Sequence, residues 1–289
     1  MPKLRRDELA GQLVRAALLR HIERARKDLR RGRFASDDAI HGARKALKRA
    51  RAALRLLRPG LGRAVYRREN TVLRRAARPL GVVRDSKVLI DRCAQISRRA
   101  QCIAPFELRS ALQSERRRTR HEVLLRAGVV VGQRTAFREL AQPVERLPIQ
   151  RLDASGIVAA IKRTYLRGRR ALERSRSAHS VPELHKLRKQ AQYLWHQLQL
   201  LDSHLPRSVG DRARKAHRVA DLLGEDHDLA LLESKIQPRT AATGSARPYD
   251  AFLRTLDRRR KKLEKKAFRI AGRLYEDAPH AFARRIVQR

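Results

Sequence analysis

One stretch occurs twice in this chain: residues 41–57 read HGARKALKRARAALRLL, and residues 185–201 read HKLRKQAQYLWHQLQLL. Both copies open with His-x-x-Arg-Lys and continue with leucine and alanine at matching positions. The offset, 185 − 41 = 144, is half of the 289-residue length. A stretch that returns after half a chain indicates an internal duplication in which each copy forms one structural unit.

Further segments return at nearly the same spacing, with an offset of 224 − 81 = 143. The pairs are Leu80-Gly81-Val-Val-Arg84-Asp85 with Leu223-Gly224-Glu-Asp-His227-Asp228, Pro105-Phe106-Glu107 with Pro248-Tyr249-Asp250, and Arg116–Arg118 with Arg259–Lys261. We therefore expect one domain over residues 1–289 made of two repeats. The first half is residues 1–145 and the second half is residues 146–289.

The apolar residues follow the period of an α-helix. In both copies six of them are spaced 3-4-3-4-3, which puts them on one helix face: Ile40, Ala43, Leu47, Ala50, Leu54 and Leu57, and then Leu184, Leu187, Ala191, Leu194, Leu198 and Leu201. Only Gly128-Val-Val-Val-Gly132 resembles a strand, and it is too short to support a sheet. The short connections indicate antiparallel neighbours, so the sequence predicts an all-α fold of two pseudo-symmetric antiparallel helical bundles.

Start and stop signals divide each half into about five helices. Ser36-Asp37-Asp38 starts one helix, Ser180 with Glu183 predicts a capping box, Arg58-Pro59-Gly60 ends a helix, and residues 202–206 end another. Residues 128–155 are predicted to be the linker, and residues 237–248 a polar loop. The predicted helices lie near 5–32, 37–57, 62–79, 83–103 and 106–126, and then near 154–177, 181–201, 207–222, 226–236 and 249–275, with a short helix after 278.

The charge points to an acidic partner. The chain has 70 Lys and Arg against 29 Asp and Glu, a net charge of +41, and its 42% hydrophobic content is enough for a core. A compact chain with this charge repels itself, and a bound polyanion relieves the repulsion. No apolar run is long enough to span a membrane, and the first residues lack the apolar segment of a signal peptide. The cysteines, Cys93 and Cys102, have no metal-ligand spacing, so we expect no metal or other cofactor. Two cysteines fit a reducing compartment, and we expect a cytoplasmic protein.

A basic stripe borders the apolar face of the first repeated helix. Its members, His41, Arg44, Lys48, Arg51 and Arg55, are also spaced 3-4-3-4, and no acidic residue lies between His41 and Glu69. One residue is a rotation of about 100° on a helix, so the stripe adjoins the core instead of opposing it. The next helix adds Arg75, which matches Arg218 in the second half. Arginine offers paired donors to phosphate and lysine a point charge, so the stripe is suited to phosphate binding.

Two interpretations stay open for His41 and His185. A histidine beside a core face either donates a hydrogen bond to a backbone carbonyl or contacts a ligand. Asp85 and Asp228 are better suited to capping a helix, or to orienting basic neighbours, than to catalysis. A charge run is also often only a solvated face, and an arginine-rich composition can reflect a biased genome.

The repeated motifs resemble the CHAD family (conserved histidine α-helical domain). The second copy is the stronger match, through His185-Lys-Leu-Arg188-Lys189 and Leu222-Leu-Gly-Glu-Asp-His227-Asp228-Leu. The resemblance covers nearly the whole chain. It implies two helical bundles related by a pseudo-twofold axis, with a basic groove or pore between or across them. It also implies binding of inorganic polyphosphate and, in bacteria, association with polyphosphate granules and with proteins there.

The family's binding positions carry over to His41, Arg44, Lys45, Lys48, Arg84, His185, Arg188, Lys189 and His227, and the basic stripes add Arg51, Arg75 and Arg218. The second half departs from the family pattern at Gln192, where a lysine is usual, and at Gln199, where a basic residue is common. The resemblance therefore implies weaker binding by the second half. Some relatives carry a triphosphate-hydrolysing domain, but the residues before His41 are too few for one. We expect a binding protein without catalytic activity.

Three other functions compete with this interpretation. Non-specific binding of DNA or RNA fits the charge, but aromatic residues make up only 4% of the chain and rarely interleave with the basic stripes, which disfavours base stacking. A metal-dependent phosphohydrolase would need clustered carboxylates around His227-Asp228, and a nucleotide loop would need a Lys-Ser/Thr pair after Gly60-Leu-Gly62. A peripheral membrane anchor would need a basic amphipathic helix rich in Trp or Phe.

Overall fold

The computed structural model describes residues 9–30, 36–100, 104–126, 137, 141–147, 149, 152–243 and 249–287. These residues form helices and contain no strand, which confirms the all-α prediction. The helices are α1 (Leu9–Arg30), α2 (Asp37–Ala100), α3 (Phe106–Arg120), α4 (Ala154–Ala178), α5 (Val181–Leu200), α6 (Arg207–Thr243), α7 (Asp250–Leu274) and α8 (Pro279–Val287). A π-helical turn, His121–Arg126, continues α3, and a 3₁₀ turn, Asp202–His204, follows α5.

Helix α2 joins what the sequence divides into three helices. The helix continues through Pro59 and is interrupted at Gly62, whose φ of 72° and ψ of 173° are non-helical and readily adopted by glycine. The predicted boundary between the first two of these helices is therefore confirmed at Gly62, and the boundary after residue 79 is wrong. Pro79 lies inside the helix without ending it. The buried side chains of Leu73, Leu80 and Val83 stay on one face across this proline, and their packing outweighs the lost backbone hydrogen bond.

Helix α6 likewise runs through a predicted break. The sequence places a boundary near Gly224 and a loop after residue 236, but the helix continues to Thr243. A glycine inside a helix costs about 1 kcal/mol, and the burial of Leu222, Leu229 and Leu232 offsets this cost. Residues 244–248 of the predicted polar loop lie outside the described residues.

The predicted helix starts have different outcomes. Ser36 caps α2, since its Oγ accepts a hydrogen bond from the backbone N–H of Ala39 at 3.1 Å. Ser180 occupies the N-cap position of α5 but makes no side-chain cap hydrogen bond, so the capping-box prediction is wrong in this respect. Glu183 pairs instead with Arg174 at 3.3 Å and with Lys186. These cations neutralise the carboxylate that the capping box would have used.

The apolar faces of α2 and α5 form the centre of the core. All twelve residues that the helical spacing selects are buried, from Ile40 to Leu57 and from Leu184 to Leu201. Helix α2 packs against α1 and also against α4, α5, α6 and α7, so the two halves share one contact surface. Most of the predicted linker, including residues 128–132, lies outside the described residues. Leu152 is buried beside Gly11 and Gly60, which ties the linker's end to α1 and α2.

Candidate anion-binding site

Each half places one arginine of its repeated motif against a glycine. The Arg44 guanidinium donates a hydrogen bond to the carbonyl oxygen of Gly81 at 2.9 Å. In the second half, a Cβ built on Gly224 would lie 3.5 Å from an Arg188 nitrogen. A Cβ at either glycine would be in ordinary van der Waals contact with the arginine, so each arginine lies directly against its glycine. Both halves thus place the Arg of the His-x-x-Arg motif beside the glycine of the Leu-Gly pair, with the hydrogen bond formed by Arg44.

Two carboxylates lie among these arginines. Arg44 pairs with Asp85 at 3.2 Å, and Arg84 lies 3.3 Å from the same carboxylate. Arg84 also reaches across to Asp228 at 3.2 Å, and Arg92 approaches Asp228 at 3.4 Å. The aspartates orient basic neighbours, as expected. The Asp228 side chain is only 4% exposed, so this ion-pair network is embedded between α2 and α6.

Two cations in the same place have no such partner. The side chains of Lys48 and Arg188 are half-buried, and neither makes a hydrogen bond or an ion pair with another described residue. Burial, together with the charges of Arg44, Arg188 and Arg84, lowers the pKa of Lys48 to about 8, against an opposing effect of Asp85. A lysine ammonium held among three guanidiniums is electrostatically unfavourable, and a bound anion would relieve it.

Two histidines complete the group. The rings of His185 and His227 lie 4.8 Å apart, centroid to centroid, and the Nδ1 atom of each is buried without a hydrogen-bond partner among the described residues. Burial lowers the pKa of His185 to about 4, with contributions from His227, Lys189 and Arg188. Burial and then Arg188 also lower the pKa of His227, although Asp228 opposes this. Both imidazoles are therefore neutral near pH 7. We call Arg44, Lys48, Arg84, His185, Arg188 and His227 the basic cluster.

The comparison with known families identifies the chain. The model of the CHAD domain family matches residues 14–237. The chain belongs to the CHAD family. A crystal structure of the CHAD domain from the plant Ricinus communis has a similar fold, with a TM-score of 0.59 over 94% of this chain and 93% of that one. The sequence identity is only 15%, so this likeness concerns the fold alone. No curated protein matches the chain.

The remaining predicted site residues of this CHAD chain lie around the basic cluster or apart from it. His41, Lys45 and Lys189 are exposed, and burial together with Arg84 lowers the pKa of His41. Arg51 lies further along α2, where its Nε donates a hydrogen bond to the side-chain oxygen of Asn70 at 3.2 Å. Arg75 and Arg218 are exposed, and no contact joins them to the cluster within the described residues.

Sequence reasoning missed several neighbours of the basic cluster. Arg92 follows Asp85 by seven residues on α2, and this helical spacing was the available signal. His196 is buried on α5, and both of its ring nitrogens lack a hydrogen-bond partner in the described part of the chain. Burial and then Arg49 and Lys48 lower the pKa of His196 to about 3. Nothing in a helical repeat distinguishes this histidine from an exposed one.

The site offers donors for an anion rather than ligands for a metal. No three His, Cys, Asp or Glu side chains come together as a metal-binding group within the described residues. The described helices also include none with the length and apolar composition to cross a membrane. Guanidinium and ammonium groups bind phosphate through charge-assisted hydrogen bonds. Such an arrangement can hold an anion and orient it.

Proposed function

We propose that this CHAD protein binds inorganic polyphosphate through the basic cluster, without chemical conversion, and that it does so in the cytoplasm at polyphosphate granules. The family resemblance supports the ligand class. The net charge of +41 supports a polyanion over a small neutral molecule. Granule-associated proteins are further candidate partners.

The unpaired state of Lys48 and Arg188 is the observation that carries this proposal. Other half-buried arginines do have carboxylate partners: Arg260, for example, contacts Asp226 at 3.0 Å and Glu233 at 2.6 Å. At the basic cluster, Asp85 and Asp228 neutralise only part of the charge. Keeping unpaired charges half-buried costs free energy that phosphate groups would return.

The surroundings of the aromatic rings favour a bare phosphate chain over nucleic acid. Binding of single strands uses aromatic faces on which bases stack. The ring of Tyr193 is covered by Arg55, whose Cζ lies 3.8 Å from the ring centroid. Trp195 stacks on His217 with centroids 3.7 Å apart. These side chains already occupy faces that a base would need, whereas a phosphate chain needs none.

The carboxylates of the site support a binding role over hydrolysis. A general base must be free to accept a proton from the attacking water. Asp85 contacts both Arg44 and Arg84, and Asp228 contacts both Arg84 and Arg92. These ion pairs hold both carboxylates in place, which supports a role in orienting the arginines.

A competition titration tests the proposal. Labelled long-chain polyphosphate, bound to the full chain in about 0.15 M salt, is displaced by unlabelled polyphosphate, duplex DNA or RNA at equal phosphate concentration. We expect polyphosphate to compete better by orders of magnitude. Equal competition by all three would show instead that the +41 charge acts as a general polyanion surface, with nucleic acid as the partner to pursue.

A further inference from the structure

The basic stripe of α2 continues beyond the basic cluster into a second group of cations. Arg55 lies over the ring of Tyr193 from α5, with its Cζ 3.8 Å from the ring centroid. One turn later, Arg58 lies over Tyr66, with its Cζ 5.2 Å from the centroid. Both tyrosines are largely buried. Their rings therefore fix the guanidiniums of Arg55 and Arg58 against α2 and α5.

A third arginine joins this group from α4. Arg167 is exposed, and α4 packs directly against α2. Partial burial and then the charges of Arg55 and Arg58 lower the pKa of Arg167. We call Arg55, Arg58 and Arg167, with Tyr66 and Tyr193, the arginine–tyrosine cluster. It combines side chains from both halves of the chain.

The described carboxylates leave this cluster without an ion pair. Within the described part of the chain, Arg55, Arg58 and Arg167 form no ion pair with Asp or Glu, and the Nε of Arg55 is buried without a hydrogen-bond partner. Arg212, in contrast, is buried with both Glu276 and Asp277 at its guanidinium. Grouping guanidiniums without acids is unfavourable in the free protein, and the cation–π contacts leave the positive charge in place.

The tyrosines also restrict the arginines. A guanidinium over an aromatic ring is attracted to the ring by a cation–π interaction and keeps its positive charge. Held in this way, an arginine loses less conformational entropy when it binds phosphate. The group therefore has the unneutralised charge and the fixed donors of an anion site.

We propose that the arginine–tyrosine cluster is a second phosphate-binding site, which polyphosphate reaches only when its chain is long enough to extend along α2 from the basic cluster. The inference rests on the proposed function. Arg44 and Arg58 are 14 residues apart, which corresponds to about 21 Å along a helix. Tripolyphosphate is far shorter than this distance, so it binds at the basic cluster without reaching the second site, whereas a long chain engages both.

Binding of tripolyphosphate and of long-chain polyphosphate to the full protein, each measured over a range of salt concentrations, tests this inference. The test variant is Arg58→Gln with Arg167→Gln. The control is Arg254→Gln with Arg258→Gln, which removes the same charge from exposed positions on α7. Each lost phosphate contact reduces the slope of log K against log salt by about 0.7–0.9. We expect the test variant to lose about 1.5 from the long-chain slope, to bind long chains at least tenfold more weakly, and to bind tripolyphosphate at the basic cluster unchanged.

Three other results would overturn the inference. These are a long-chain slope equal to that of the control variant, an equal loss of tripolyphosphate binding, and a wild-type slope that is the same for both ligands. Arg167→Gln alone, at an exposed position, should give about half of the double variant's effect, and circular dichroism checks that each variant is folded. Failure of the proposed function is distinguishable, since the wild type would then show no preference for polyphosphate over DNA.

Discussion

Arg84 and Asp228 form an ion pair of 3.2 Å across 144 residues of sequence, which joins the two halves of the chain. Asp228 stands at the position equivalent to Asp85, and His227 at the position equivalent to Arg84. Asp85 of the first half in turn acts on His227 of the second half, because its charge raises the pKa of His227 against the stronger effect of burial. Each Leu-Gly-x-x-Arg/His-Asp motif thus supplies a carboxylate to the basic residue of the other.

Loss of this carboxylate should destabilise the fold. Asp228→Ala removes the carboxylate that Arg84 and Arg92 share and leaves Arg84 with Asp85 alone, and removing one partner of a buried ion pair costs about 3 kcal/mol or more. The free energy of unfolding, measured by urea denaturation, should fall by this amount. Asp221→Ala is the matched control, because Asp221 is 54% exposed and forms an ion pair with His217 alone among the described residues. A loss below about 1 kcal/mol in both variants would show that the network is solvated.

Lys48 should destabilise the folded protein and contribute to polyphosphate binding. With its pKa lowered to about 8, the ammonium is charged at pH 7 at the expense of the fold. Lys48→Met removes a charge that burial and three arginines disfavour, so the free energy of unfolding at pH 7 should rise by about 1–3 kcal/mol. Polyphosphate affinity should fall about tenfold, which is 1.4 kcal/mol.

The exposed Lys45 supplies the control for this prediction. Lys45→Met removes the same charge one turn away on α2 without relieving burial, so its stability should change by less than about 0.5 kcal/mol. A Lys48→Met variant that is destabilised would show that the ammonium has a favourable partner. Chemical denaturation and a polyphosphate titration on the same samples separate the two effects.

The helical spacing predicts the buried faces of α2 and α5 correctly, because a 3-4 spacing of leucine and alanine places them all on one helix face. It also places Arg44 and Lys48 beside the core. The spacing does not tell which helix packs opposite, so neither the pair of Arg84 with Asp228 nor the contact of Arg55 with Tyr193 follows from it. These contacts depend on how the two halves pack, which is a tertiary property.

The predicted breaks after residue 79 in α2 and near Gly224 in α6 were wrong for a related reason. Proline and glycine disfavour a helix locally, by about 3 and 1 kcal/mol in a helix interior. Pro79 and Gly224 both lie beside buried leucines, Leu80 and Leu223, whose packing outweighs this preference. At Gly62 the local preference of glycine does interrupt the helix, because its positive φ changes the direction of α2.

Arg44 and Arg188 should differ in stability although they occupy equivalent positions. Arg44 bonds to the Gly81 carbonyl and to Asp85, so Arg44→Ala should lower the free energy of unfolding by about 1.5–3 kcal/mol. Arg188 has no hydrogen bond within the described residues, so Arg188→Ala should stay within about 0.5 kcal/mol of the wild type. Both should weaken polyphosphate binding, and the double variant should lose it while its helicity, followed by circular dichroism, persists. Loss of helicity in Arg188→Ala alone would assign that arginine a structural role.

Polyphosphate affinity should keep rising at pH values below the ordinary pKa of histidine. In the free protein the pKa of His185 is lowered from 6.5 to about 4, and a nearby phosphate chain favours the imidazolium and raises that pKa. The bound state therefore takes up a proton at any pH between the two values. By linkage, affinity keeps rising as pH falls from the bound pKa toward about 4, instead of levelling off near 6.5.

The charge of the ligand does not confound this measurement, because the internal phosphates of a long chain stay singly ionised over the range. Affinity is measured at pH 7.5, 6.0 and 5.0 at constant ionic strength. His185→Gln should remove the gain between pH 6.0 and 5.0, whereas His204→Gln, at an exposed position in the turn after α5, should keep it. An affinity independent of pH in the wild type would mean that His185 does not contact phosphate. Since its Nδ1 is buried and lacks a partner among the described residues, the imidazole would then act as a neutral spacer between α5 and α6.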